Sequence, residues 1–183
     1  IFVIYREPTK LLRILMIFTP VQLSKEKAMP HIIDAYLGLN ALRQAGYRST
    51  ATAVAELVDN SIEANADKID IIALSEDVFL QARTSSQVTS IAVLDNGDGM
   101  NEKTLANCLS MGWGTRLETR DGLGRFGFGL KGSSISQARR VEVYSWTTPG
   151  NVMRAHLDLD EIKENSLSTL HEPVIANLPD WLV

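Results

Sequence analysis

The chain has 183 residues, 45% hydrophobic and 22% charged, a length and balance that suit one folded domain and exclude a disordered or low-complexity array. Its formal net charge of −4 and isoelectric point near 5.4 leave no electrostatic footprint for nucleic acid. The lone cysteine, Cys108, cannot form an internal disulfide and falls in an apolar helical pattern, which reads as a buried thiol in a reducing cytoplasm.

Residues 1–28 hold two short apolar runs, Ile1 to Tyr5 and Leu11 to Phe18, interrupted by Arg13 and followed by Pro20. Neither reaches the ~20 residues of a membrane span, and no clear small-residue cleavage pattern follows. No membrane role is expected, and residues 1–28 read as an N-terminal extension ahead of a domain over 29–183. From Ile32 to Ala45 apolar residues recur at helical spacing and Gly46 stops the run. Ser49 and Thr50 are N-caps for a second helix, whose apolar stripe is Val54, Leu57, Val58 and Ile62. Lys68–Leu74 and Thr89–Leu94 read as strands, the latter ending in the turn Asp95-Asn96-Gly97-Asp98-Gly99. Asn101–Met111 reads as a short helix capped by Asn101. A glycine-rich loop over 112–129 leads into a helix at Leu130–Gln137, and Arg140–Trp146 and Met153–Leu159 form a hairpin across Pro149-Gly150. Helices followed by successive strands predict an α+β fold with helices on one face of a mixed or antiparallel sheet.

Three segments carry chemistry. On the second helix Glu56, Asp59, Asn60 and Glu63 fall at i, i+3, i+4 and i+7, one polar stripe. Alone it reads as a solvated face; beside a phosphate, Asn60 is a hard oxygen ligand for Mg²⁺ and Glu56 a base for water. The turn at Asp95 lacks the acidic spacing of a calcium loop. An aspartate at the end of a buried strand, followed by glycines that let a flat ligand approach the backbone, suits acceptance of a hydrogen bond from an exocyclic amine. Gly122-Leu123-Gly124-Arg125-Phe126-Gly127 follows a polar segment rather than a hydrophobic strand, which counts against a dinucleotide fingerprint. Leu130 between Gly129 and Lys131 breaks a Walker A loop. What survives is a glycine segment running into a helix start, whose free N–H groups favour phosphate, with Lys131 adding charge.

Together, Glu56-Leu57-Val58-Asp59-Asn60-Ser61-Ile62-Glu63-Ala64, Asp95-Asn96-Gly97-Asp98-Gly99-Met100 and Gly124-Arg125-Phe126-Gly127-Phe128-Gly129-Leu130-Lys131 resemble the three sequential ATP-site motifs of the GHKL superfamily. The resemblance spans roughly residues 47–146 and implies the Bergerat α/β sandwich. It further implies that Asn60 coordinates Mg²⁺, that Glu56 is the general base for hydrolysis, and that Asp95 bonds the adenine amine with Gly97, Gly99 and Met100 around it. Met111–Phe128 would be an ATP lid, with Gly124, Gly127, Gly129 and Lys131 around the phosphates. Asp59 and Glu63 match less securely. Asn60 followed by Ser61-Ile62-Glu63-Ala64, with the lid segment Gly124–Lys131, resembles the gyrase, MutL, chaperone and microrchidia branch more than the sensor kinases, Tyr47-Arg48-Ser49-Thr50 resembles microrchidia-like proteins, and His31 lacks the helical hairpin of a phosphoacceptor. The function so implied is slow, Mg²⁺-dependent ATP hydrolysis that drives conformational change in a larger protein, with an ATP-dependent homodimer among the assemblies it allows. A non-hydrolysing nucleotide-binding module and a protein histidine kinase stand as alternatives. The family carries further strands beyond the lid helix, and a chain ending at Val183 soon after a polar stretch reads as truncated.

Overall fold

In the computed structural model, residues 2–5, 34–47, 49–80, 83–111 and 129–182 are described. Among the described residues six strands form one sheet. In chain order they are β1 (Phe2–Tyr5), β2 (Ile69–Leu80), β3 (Arg83–Asp95), β4 (Arg140–Ser145), β5 (Met153–Asp158) and β6 (Val174–Ile175), and in space they run β2-β3-β1-β4-β5-β6. Each neighbouring pair is antiparallel, which narrows the expected mixed or antiparallel sheet to the second kind. The helices are α1 (Ala35–Ala45), α2 (Thr50–Glu63), α3 (Glu102–Cys108), α4 (Gly129–Gln137) and α5 (Leu159–Asn165). Among the described residues, no helix is long and apolar enough to cross a membrane.

Within the segment read as an N-terminal extension, Phe2–Tyr5 fills the middle of the sheet, pairing with β3 through Phe2↔Val93 and with β4 through Phe2↔Val143. β3 and β4 both lie beside it rather than beside each other, so a third strand is needed between them to satisfy their inner backbone groups.

Alternation along the central strands sorts the two faces. Val93, Val141, Val143, Ala155 and Leu157 turn to one side, where Leu39 of α1, Leu57 of α2, Leu105 and Cys108 of α3, Ile135 of α4 and Leu159 and Ile162 of α5 complete the core. The free thiol of Cys108 is buried there, and that burial pushes it up to about 12. The opposite face carries a smaller cluster around Ala92 and Tyr144, packed by Ile72, Leu94, Leu178 and Trp181. Glu142 lies buried on that face within 2.7 Å of Arg140, with the Tyr144 hydroxyl donating to it at 2.9 Å. Burial opposes its charge, yet Arg140, Tyr144 and Arg154 together hold its carboxyl below the usual range.

The helix layer is built around α4. Its sequence is rich in small residues, and Gly129, Lys131, Ser133, Ser134 and Ile135 are all buried, so it fills the space between α1 and α2. Close approach is the reason for the small side chains: a Cβ added at Gly46, just past α1, would lie 2.9 Å from Ser136 Cβ. Gln137 fastens the α1–α2 connection, accepting from Thr50 Oγ1 at 2.8 Å and donating to the Tyr47 carbonyl at 3.0 Å.

Candidate nucleotide site

α2 begins after Ser49, which has the extended backbone of an N-cap. Its buried residues are Ala53, Leu57 and Ser61. That is a different face from the predicted stripe: Val54 and Val58 are half-buried, and Ile62 is 58% exposed. The inward face is small and partly polar because α4 and the Asp95 turn pack against it. At 100° per residue, Glu56 and Asn60 flank this face on one side, both half-buried. Asp59 lines an open groove with Val54, Val58 and Ile71, while Glu63 is exposed. The four polar residues still share one stripe of the helix, with Glu56 and Asn60 on its half-buried side and Asp59 and Glu63 on its exposed side.

The side-chain amide of Asn60 donates to the Glu56 carbonyl at 2.7 Å. Since a carbonyl only accepts, the atom facing it must be Nδ2, and Asn60 Oδ1 is turned the other way as an oxygen acceptor. The Glu56 carboxylate reaches the start of α4: a Cβ built on Gly129 would lie 2.9 Å from Glu56 Oε2. Glycine at the first position of α4 is what lets a carboxylate stand against that helix end.

Tyr47 is a partner of Glu56 to which sequence reasoning gave no role. Its hydroxyl lies beside the Glu56 carboxylate, and burial together with that carboxylate pushes the phenol up to about 12, so it stays protonated at neutral pH. The only trace in the sequence was its place ahead of the α2 cap.

β3 ends at Asp95 and delivers it to the turn. Asp95 Oδ1 accepts from Gly97 N at 3.0 Å, and Oδ2 lies 3.2 Å from Ser61 Oγ. The Ser61 hydroxyl also lies 3.1 Å from the Leu57 carbonyl, so its single proton serves one acceptor at a time. Ser61 is buried and is the second residue that sequence reasoning passed over.

The turn is clamped to the end of α2. Asp98 N donates to the Ala64 carbonyl at 2.8 Å, Asn65 Nδ2 to Asp98 Oδ2 at 2.6 Å, and Asn96 bonds Asp67 and Lys68. Gly97 sits where a Cβ would come within 2.6 Å of the Ala64 carbonyl oxygen. Met100 N donates to Ser145 Oγ at 2.8 Å, which ties the far end of the turn to β4. The structure thus sets Gly129 against Glu56 in the middle of α2, and holds Asp95, Gly97, Gly99 and Met100 in the turn packed at the helix's C-terminal end and at the end of β4. Lys131, in the first turn of α4, is 2% exposed, and burial lowers its pKa against a smaller opposing effect of Cys108. Gly124 and Gly127, with the rest of the expected lid from 112 to 128, lie outside the described residues.

Gly99 combines φ +73° with a Cβ position that collides with the Trp146 carbonyl oxygen, whereas Gly150, at φ +83°, has open space around it. Gly150→Ala should cost about 1–2 kcal/mol for the left-handed backbone alone. Gly99→Ala should cost about 1–3 kcal/mol more, because the added methyl meets backbone that cannot rotate away. Chemical denaturation of the two variants side by side checks this, and equal losses would show that the Trp146 contact is unimportant.

Residues 47–179 match the family described as Histidine kinase-, DNA gyrase B-, and HSP90-like ATPase, and the chain belongs to that family. The antiparallel sheet covered on one face by helices is its α+β fold. Over 93 residues, 51% of this chain, the sequence is 29% identical to Protein MICRORCHIDIA 4 of Arabidopsis thaliana and 30% identical to Protein MICRORCHIDIA 5 of the same species. The matched stretch covers 11% and 13% of those two proteins, so this chain spans a small part of the relatives it resembles.

Proposed function

We propose that this chain is a Mg²⁺-dependent ATP-binding domain that hydrolyses ATP slowly and drives conformational change in a larger protein. The observation that supports the reading is a series of three acceptors along the second half of α2: the Glu56 carboxylate, Asn60 Oδ1, and the Asp95 carboxylate beside Ser61. The residues suit the groups they would hold. Mg²⁺ takes oxygen ligands, and the Asn60 amide nitrogen is already engaged, which leaves its oxygen for the ion. An ionised carboxylate has about four lone-pair sites, and Gly97 and Ser61 use one each on Asp95, so an adenine amine can be accepted as well. When bound, Mg²⁺ would neutralise charge on the phosphate oxygens. Glu56 would then take a proton from water at a carboxylate oxygen, with the Tyr47 hydroxyl fixing the other side of that group. Gly97, Gly99 and Met100 would border the base, and the segment containing Gly124 and Gly127, with Gly129 and Lys131, would serve the phosphates. The setting proposed is a reducing cytoplasm, with an ATP-dependent homodimer as the assembly.

Isothermal calorimetry on the purified chain should show one Mg·ATP bound per chain; absence of binding with and without Mg²⁺ would sink the reading. The Tyr47 hydroxyl beside Glu56 favours a second reading, a nucleotide module without turnover, because a phenol donating to that carboxylate would leave one fewer site for water. Phosphate release no faster from the native chain than from its Glu56→Ala variant would select that second reading.

A further inference from the structure

We infer that His156, Glu161 and His171 form a site for one divalent transition-metal ion of the zinc class, separate from the nucleotide site. The chain has three histidines, and two of them converge on a single carboxylate. His156 Nε2 lies 3.0 Å from Glu161 Oε2, and His171 Nε2 lies 3.0 Å from Glu161 Oε1. The three candidate ligand atoms all fall within 4.8 Å of one another. Donors around a tetrahedral ion at about 2.0–2.2 Å stand roughly 3.4 Å apart, a spacing that lies between these values.

Two features favour an ion over a plain ion pair. The imidazole rings are stacked, with centroids 5.4 Å apart and planes inclined by 18°. Charging both rings to pair with one carboxylate would set two cations face to face, whereas a metal binds both as neutral imidazoles. The donor set of two imidazoles and one carboxylate is that of zinc sites with an open fourth position, and it suits Zn²⁺, Co²⁺, Ni²⁺ or Cu²⁺ far better than the oxygen-seeking Mg²⁺. Access is provided: the side chain of His156 is 18% exposed, that of Glu161 34% and that of His171 49%, so the inner ligand is fixed and the outer two face solvent.

The ligands come from β5, from the first turn of α5 and from the segment after α5. An ion there would clasp these three together, in the part of the chain where Leu167 and Leu170 pack on the core and β6 pairs with β5. His156 alternates with Ala155 and Leu157, which face the helix layer. None of the three ligands is among the residues assigned to the nucleotide, so the site is distinct from it.

The test uses the untagged full chain, freed of metal with a chelator and titrated with Co²⁺ in excess Mg²⁺, the visible absorption of the bound ion being the signal. One Co²⁺ per chain is expected, displaced by Zn²⁺ and unaffected by Mg²⁺, with a raised unfolding midpoint. His171→Ala and Glu161→Gln should each abolish the signal while keeping the circular dichroism of the native chain, and His31→Ala should leave it intact. No binding by the native chain, or equal binding by His171→Ala, overturns the proposal. Competition by Mg²⁺ would do the same, since it would place the Co²⁺ on oxygen ligands elsewhere.

Discussion

Glu56→Ala should lower ATP turnover by about 10²–10⁴-fold, the usual contribution of a positioned general base, while Mg·ATP affinity stays within a few-fold of the native value. The separation of the two effects follows from the geometry. Glu56 presents its carboxylate to the first position of α4, whereas its backbone carbonyl, which the substitution keeps, is what orients Asn60. The metal-facing oxygen of Asn60 is thus retained when the base is removed. Loss of the carboxylate also releases the Tyr47 hydroxyl, which remains protonated at neutral pH and cannot replace the base. Phosphate release under single-turnover conditions, paired with calorimetry on the same preparation, reads both quantities. A variant that binds and hydrolyses like the native chain would remove Glu56 from the mechanism, and one that fails to bind would make its role one of architecture.

The parts of the fold that the sequence made legible are those where local chemistry and tertiary packing agree. α2 starts at its predicted cap, α3 follows Asn101, whose side chain accepts from Thr104 N, and the β4–β5 hairpin lies within a residue or so of its predicted ends. Where packing overrides pattern, the reading departs. Apolar spacing on α2 pointed to Ile62 as a core residue, but Ser61 takes that place because the Asp95 carboxylate needs a donor there. The β2–β3 hairpin continues to Leu80 and back from Arg83, past a register shift at Leu74/Ser75. Glu76, Asp77, Ser86 and Gln87 in that extension are exposed, so no alternation marks it. α5 is seven residues long and is held by Asp158, which accepts from Asp160 N and Glu161 N; in sequence it is lost in a polar run. β1 is four residues without turn signals, and its place is decided by the two strands it joins.

The candidate site divides the same way. Asn60, Asp95 and the glycines were legible because each has a chemical reason at its own position, and their order along the chain made a constellation. Tyr47 and Ser61 were not, because each acts only through a residue remote in sequence: Ser61 reaches Asp95 from 34 positions away, and Tyr47 reaches Glu56 across the α2 cap. Sequence spacing records neither.

Asp95→Asn should weaken ATP binding by about 10- to 150-fold, the worth of a hydrogen bond to a charged acceptor of about 1.5–3 kcal/mol. The substitution keeps size and leaves one oxygen. That oxygen has two existing claimants, Gly97 N at 3.0 Å and Ser61 Oγ at 3.2 Å, which the two carboxylate oxygens now share between them. With the amide oxygen kept on Gly97 N, the new NH₂ group can donate to Ser61 Oγ, whose own proton then goes to the Leu57 carbonyl; an adenine amine that the second carboxylate oxygen would accept meets a donor there instead. The defect should be specific to the base. Inosine triphosphate carries a carbonyl where adenine carries its amine, so the native chain should prefer ATP, and the variant should lose that preference or reverse it. Competition calorimetry with the two nucleotides measures the ratio directly. If Asp95→Asn lowers both affinities equally, the carboxylate acts through the turn that it shares with Gly97 and Ser61; if it lowers neither, the base lies elsewhere.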